Sequence, residues 1–176
     1  DIVLITHEHT DHLHCESLKK IIANNPAAEI ITNSAVGKKL DDEAIKYRII
    51  EDRDTMVVAS IKIEAFDGKH EEIFEEIGQV QNTGYLIAER LFYPGDSFHR
   101  PGKPVEILAL PVAGPWCKIA DAIRYAIDVN PKKAFPVHDG LIAPDKIGVF
   151  HSLPKNILAK EGIEFLLLFD GDMLDI

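Results

Sequence analysis

Ile5-Thr6-His7-Glu8-His9-Thr10-Asp11-His12 is the stretch that decides how this chain is read. Together with the residues before it, Asp1 to Thr6 forms a short apolar run rich in β-branched residues, which reads as a buried strand of a parallel sheet. The string therefore begins where a strand ends, the place where open α/β sheets put their ligand crevice. A turn there aims His7 and His9 from one side and Asp11 and His12 from the other. Four of the eight histidines fall between residues 7 and 14. At this chain's own His and Asp frequencies, a His-x-His-x-Asp-His string arises by chance on the order of once in a thousand chains. Neutral imidazole and carboxylate suit Zn, Mn or Fe, and packing does not explain three or more converging nitrogens. His14, one position beyond the pattern, and His151 read as ordinary surface or hydrogen-bonded histidines.

Outward from the string, strands and helices alternate. Leu18, Ile21 and Ile22 recur at i, i+3, i+4 between Glu16 and Asn24, where Asn24-Asn25-Pro26 ends a short amphipathic helix. Glu29 to Thr32 is strand-like, and Ser34 is placed to cap a helix through Leu40. Ile61, Ile63 and Ala65 alternate as a half-buried strand running into a turn at Asp67-Gly68, with His70 just beyond. Tyr85 to Ala88 and Leu91 to Tyr93 flank Glu89-Arg90 as a hairpin that breaks at Pro94-Gly95-Asp96. Val105 to Leu110 reads as a strand, and the Ile119, Ile123, Ala126, Ile127 repeat marks a helix ended by Asn130-Pro131. Ala134 to Val137 returns to the sheet. A helix near Asp145 to Phe150, broken or restarted around Pro154, leads to a last strand from Glu164 to Phe169. The class is α/β or layered α+β in a single domain over residues 1–176, without internal repeats or linkers.

Composition narrows the function. Of 176 residues, 46% are hydrophobic and 27% charged, the balance of a compact globular domain able to bury a core without staples. A formal charge of -10 with no run of basic residues argues against nucleic acid as a partner. Cys15 and Cys117 cannot form a disulfide framework, no leader-like segment opens the chain, and no apolar run is long enough for a bilayer. The expectation is a cytoplasmic protein with reduced thiols, a small-molecule substrate and no membrane partner. No Gly-x-Ser-x-Gly elbow or Gly-rich phosphate loop competes with the histidine string.

The residues resemble the metallo-β-lactamase-fold metal-dependent hydrolases, and within them the poorly characterised bacterial branch near the ascorbate-phosphate lactonase group. The resemblance rests on the 5–12 string, Asp67-Gly68-Lys69-His70, Asn82-Thr83-Gly84-Tyr85-Leu86, Tyr93-Pro94-Gly95-Asp96-Ser97-Phe98, Leu110-Pro111-Val112-Ala113-Gly114-Pro115-Trp116 and Phe135-Pro136-Val137-His138-Asp139. It covers nearly the whole chain. It implies an αββα sandwich in which His7, His9 and His70 hold a first metal, Asp11, His12 and His138 a second, and Asp96 bridges the two. His70, Asp96 and His138 each follow an expected strand beside Gly or Pro punctuation, positions from which a chain can turn toward a shared crevice. Family members carry roughly 45 further residues upstream that supply the first strands of the sandwich. This chain is therefore expected to be an amino-terminally truncated member whose open sheet edge beside Ile2 to Ile5 favours a homo-oligomer.

The function that the resemblance implies is hydrolysis of an ester, lactone or phosphoester of a small molecule at a dinuclear centre, Asp11 and Asp96 serving catalysis as well as metal. Two divalent cations, zinc first and manganese or iron as alternatives, would generate a bridging hydroxide near neutral pH. Rival expectations are a phosphodiesterase or nuclease acting on nucleotides or RNA, a metal-binding module without turnover, and a flavodiiron-like reductase. Weaker candidates surround the centre. Thr10 and Asp139 are placed to orient ligand imidazoles, Trp116 and Lys118 to line a substrate mouth, and His99 to protonate a leaving group. Cys15 and Cys117 read as small buried hydrophobes.

Overall fold

The computed structural model describes residues 1–168 and 171–176. Two sheets form its centre. β1 (Ile2–Leu4), β2 (Glu29–Thr32) and β3 (Arg48–Ile49) pair in parallel in the order β1-β2-β3. β4 (Thr55–Val58), β5 (Ile61–Lys69), β6 (Gln81–Ile87), β7 (Leu91–Tyr93), β8 (Ile107–Pro111), β9 (Lys133–Val137) and β10 (Glu164–Phe165) form a seven-stranded sheet in reverse chain order. Its pairing is antiparallel from β4 to β7 and parallel from β7 to β10. Four α-helices, α1 (Cys15–Asn24), α2 (Ser34–Asp42), α3 (Ile119–Val129) and α4 (Ile147–Leu158), complete the layers.

Side-chain alternation along the strands sorts the core into three layers. Ile30 faces Leu18, Val36 and Leu40 of α1 and α2, whereas its neighbour Ile31 faces the other way, toward Ile63, Ala65 and Tyr85 of the large sheet. Phe66, Leu86 and Phe92 point to the opposite face of that sheet, where they pack with Ala122, Ile123 and Ala126 of α3 and Leu158 of α4. The order of layers is helix, sheet, sheet, helix, which is the expected αββα sandwich. Among the described residues no helix is long and apolar enough to cross a membrane.

Several local expectations are corrected. Asn33, not Ser34, caps α2: its Oδ1 accepts from Val36 N at 3.0 Å, while the Ser34 hydroxyl donates to Glu51. β5 runs straight through Asp67-Gly68, because Thr83 and Gln81 across the ladder satisfy the Asp67 carboxylate that a turn would otherwise use. α4 starts at Ile147 and continues through Pro154, which is buried. β1 is only half-buried, being the edge of its sheet, and neither the two-residue β3 nor the four-residue β4 carries a clear sequence signal. β10 stops at Phe165, and the end of the expected last strand, Phe169, lies outside the described residues.

Candidate metal centre

The loop after β1 is locked in place by both sheets before it presents any ligand. The Ile5 carbonyl accepts from the Thr32 hydroxyl at 2.9 Å and the Tyr85 hydroxyl at 3.1 Å. The Thr6 carbonyl accepts from Thr83 N at 2.9 Å and Asn33 Nδ2 at 2.8 Å. These donors are buried, so each bond also removes an unsatisfied polar group from the core. Beyond Thr6 the chain reverses where His12 N and Leu13 N both donate to the His9 carbonyl. That reversal brings the His7 and His12 rings to 4.0 Å and the His7 and His9 rings to 4.8 Å.

Three strand ends supply the remaining groups. His70 follows β5, and its Nδ1 meets the Glu71 carbonyl, which fixes the proton there and leaves the Nε2 lone pair facing inward. His138 follows β9 in the left-handed conformation at φ 63°, a cost of about 1 kcal/mol for a non-glycine residue. Asp96 follows β7 through Pro94-Gly95, and Asn82 of β6 clamps this turn. Its Nδ2 donates to the Pro94 carbonyl at 2.8 Å, and its Oδ1 accepts from Asp96 N at 3.0 Å. Asn82→Ala strips the side-chain partner from two buried backbone groups, a cost of about 1–3 kcal/mol for each. Because the clamp positions Asp96, the same change is expected to weaken metal binding ~10–100-fold, read by competition with a chromophoric chelator.

The structure brings all the expected ligand residues together. His7, His9 and His70 form one group and Asp11, His12, Asp96 and His138 another, with the ligand atoms of each group within 4.8 Å of one another. Asp96 lies between them. Its Oδ2 is 3.0 Å from His138 Nε2, 3.3 Å from His70 Nε2 and 3.9 Å from His7 Nε2, while Oδ1 is 3.2 Å from His12 Nε2. Asp11 Oδ2 lies 3.3 Å from His138 Nε2. Despite these distances, His7 Nε2, both ring nitrogens of His138 and Asp96 Oδ1 are buried without a hydrogen bond. Polar atoms that approach this closely and do not point at one another converge on shared points between them, which is the geometry of a cation site.

Electrostatics favour the same use. Burial, then the His12 imidazole, pushes His7 down to about 3, and burial, then His70, lowers His9. Burial alone would raise Asp96, but the imidazoles of His12, His138 and His70 around it hold the carboxyl far below its usual range. Asp96 in turn raises His138, and it raises His70 together with the Glu71 carbonyl in spite of burial. Neutral His7 and His9 beside an ionised Asp96 are the protonation states that a metal requires of its ligands.

The weaker candidates are mostly displaced. Trp116 is half-buried beside the His70 and His138 rings, and its Nε1 donates to Asp96 Oδ2 at 3.0 Å, backing the carboxylate. Lys118 is exposed at the start of α3 and Thr10 is exposed beside the loop, bonded to no ligand imidazole among the described residues. Asp139 orients no ligand either, since its Oδ2 pairs with His151 Nε2 at 2.7 Å. His151, read as ordinary, thus ties α4 to the turn after His138. His99 lies over Gly68, with burial, then Arg53, lowering its pKa. The His14 side chain meets Ser17 at the surface. Cys15 and Cys117 are free and half-buried, and burial pushes the Cys117 thiol up to about 12.

A cavity of about 280 Å³ opens onto the second ligand group, lined by Asp11, His12, Tyr93, His138, Gly140 and Leu141. Nothing in the sequence marks Tyr93 as a lining residue, because no local pattern tells which face of β7 it takes. Burial, then the Asp96 and Asp11 charges, raises its pKa.

Known proteins share this arrangement of chain. Residues 1–138 match the family described as the beta-lactamase superfamily domain. Protein Rv0786c of Mycobacterium tuberculosis is 34% identical over 154 residues, covering 85% of this chain and 71% of that protein. Among solved structures, Igni18, a metallo hydrolase from the archaeon Ignicoccus hospitalis, superposes with a TM-score of 0.70 at 17% identity, over 98% of this chain and 77% of its own. CmlA, a diiron β-hydroxylase from Streptomyces venezuelae, gives 0.70 at 18% identity, over 96% of this chain and 44% of its own. These two share the fold. On the family match and the mycobacterial relative, the chain belongs to the beta-lactamase superfamily, the metal-dependent hydrolases of metallo-β-lactamase fold, and carries a His/Asp cluster fitted to hold metal.

Proposed function

We propose that this chain hydrolyses an ester, lactone or phosphoester of a small molecule at a dinuclear centre, with His7, His9 and His70 holding one divalent cation, Asp11, His12 and His138 the other, and Asp96 shared. The observation that carries this reading is Asp96, a buried carboxylate set among imidazole nitrogens of both groups with no hydrogen bond to Oδ1. When bound, two such cations lower the pKa of water toward neutrality and polarise a carbonyl or phosphoryl oxygen. The chain's own residues supply the rest. Thr6 Oγ1, 3.0 Å from His7 Nδ1, and the Glu71 carbonyl on His70 Nδ1 hold these rings with Nε2 facing the centre. Trp116 fixes the Asp96 carboxylate from behind, and Asn82 fixes its backbone. Asp11, half exposed, stands at the cavity side, where substrate enters.

The cavity volume sits at the low end for small-molecule sites, and the formal charge of -10 supports a small substrate over a nucleic acid. Zinc, manganese and iron all suit these ligands. Elemental analysis of protein purified without chelator and then saturated with each metal is expected to reach two ions per chain, with His138→Ala reaching only one. A ceiling of one ion in the unaltered protein, with no change in His138→Ala, overturns the dinuclear reading. A lactone and a bis-nitrophenyl phosphodiester, assayed on the saturated protein, separate the two substrate classes.

A further inference from the structure

The chain has four tyrosines, and three have their hydroxyl groups committed to the protein. Tyr47 donates to Asp41 at 3.0 Å, Tyr85 to the Ile5 carbonyl at 3.1 Å and Tyr125 to the His99 carbonyl at 2.6 Å. Tyr93 is the exception: among the described residues its hydroxyl makes no hydrogen bond. Tyr93 is half-buried and lines the cavity, and its hydroxyl, unlike His7 Nε2 or Asp96 Oδ1, is not sealed from solvent, so it is open to a ligand held there.

Strand alternation settles which way Tyr93 points. Phe92 lies in the outer core with α3, so Tyr93, the next residue of β7, faces the layer between the sheets. Its cross-strand partner Tyr85 faces that layer too, and Tyr85 reaches Ile5, two residues before the first ligand. Tyr93 thus projects on the side where the metal loop crosses, and it lines the cavity together with Asp11, His12 and His138 of the second ligand group and with Gly140 and Leu141. The remaining lining offers no other neutral hydroxyl donor. A phenol is protonated at neutral pH and can donate.

We propose that Tyr93 is a catalytic residue, its hydroxyl donating a hydrogen bond to the substrate oxygen that gains negative charge as water attacks. This deepens the hydrolase reading above and rests on it. Attack forms an O–C or O–P bond and moves an electron pair onto the former carbonyl or phosphoryl oxygen. Collapse expels the leaving oxygen with the electron pair of its bond, and that oxygen takes up the proton released by the attacking water. Tyr93 keeps its own proton throughout and only donates a hydrogen bond. A donor aimed at such an oxygen contributes most in the transition state, so its loss appears in kcat more than in KM.

Tyr93→Phe tests this with little risk to the fold, since it deletes a hydroxyl that bonds nothing. Metal content is expected to be unchanged and Tm unchanged or slightly higher, while Tyr85→Phe, which removes a bonded hydroxyl, lowers Tm. On whichever of the lactone and phosphodiester probes the unaltered protein hydrolyses, kcat should fall ~10²-fold with KM nearly constant. Phenylphosphonate, a tetrahedral anion, should bind the metal-saturated variant ~10-fold more weakly in calorimetry. Equal kcat and equal phosphonate affinity overturn the assignment. So does a lowered Tm that accompanies the loss of activity, which would make Tyr93 a structural wall. If the unaltered protein hydrolyses neither probe, the hydrolase reading is what fails, and phosphonate binding alone judges Tyr93: equal affinity, or binding to neither protein, overturns it.

Discussion

Asp96→Asn is expected to reduce hydrolysis by about 10³-fold or more while leaving the thermal transition within a few degrees of the unaltered protein. The amide fills the same volume, and its oxygen can still accept from Trp116 Nε1, so the packing behind the residue survives. What disappears is the negative charge among His12, His70 and His138, and with it, on the proposed dinuclear reading, the ability of one side chain to serve two cations. Metal content should fall from two ions to at most one, measured by elemental analysis after gel filtration. Far-UV circular dichroism on the same sample separates loss of metal from loss of fold. An Asn variant that keeps two ions and full turnover would remove Asp96 from the centre altogether.

How legible this centre was depends on how far apart in sequence its parts lie. His7, His9, Asp11 and His12 come from one loop, so their convergence is a property of a single turn and could be read from spacing. His70, Asp96 and His138 each end a different strand, and only strand order brings them together. β6 pairs antiparallel with both β5 and β7, and β7, β8 and β9 run parallel, so β5, β7 and β9 point the same way and their C-terminal ends lie at the same end of the sheet. Their residue types and the Gly and Pro beside them hinted at loops, but the resemblance to a family was needed to join them. Trp116, Asn82 and Tyr93 show the limit. Each acts through one side-chain atom whose direction is set by neighbours from other strands, and no local pattern carries that information.

The elements divide in the same way. Helix α3 was legible because its apolar repeat and the left-handed Asn130 that ends it are local features. The α2 cap was misplaced by one residue, because Asn33 and Ser34 are both good capping residues and tertiary bonds chose between them. Asn33 is held by Thr6 and Thr83, which leaves its Oδ1 free to face Val36 N, whereas Ser34 turns to Glu51. The Asp67-Gly68 pair carries a strong turn signal that partners across the ladder override, and Pro154 carries a break signal that burial overrides. In each case the local preference is on the order of 1–3 kcal/mol, small enough for a few buried contacts to reverse.

Gly95→Ala is expected to be the most damaging single-methyl addition in the chain. Gly95 has φ +69°, where an L side chain costs about 1 kcal/mol, and a Cβ there would overlap the Asn82 side-chain oxygen and come within 2.9 Å of Thr6 Cβ. Asn82 cannot retreat without releasing the Pro94 carbonyl and Asp96 N, each worth about 1–3 kcal/mol when left buried and unpaired. The sum is about 3–7 kcal/mol, a large share of a typical domain's stability, and should appear as a lowered urea midpoint at constant slope. Asp96 moves with the turn, so metal affinity falls in parallel. Gly148→Ala is the contrast: it lies inside α4 with open space around it, so it is expected to add about 0.5–1 kcal/mol. A double-mutant cycle identifies the cause. If the overlap with Asn82 dominates, then in an Asn82→Ala background the cost of Gly95→Ala shrinks to the backbone part, about 1 kcal/mol. If the full cost persists there, the strain resides against Thr6 and the strand end, and the clamp on Asp96 is secondary to the locking of the metal loop itself.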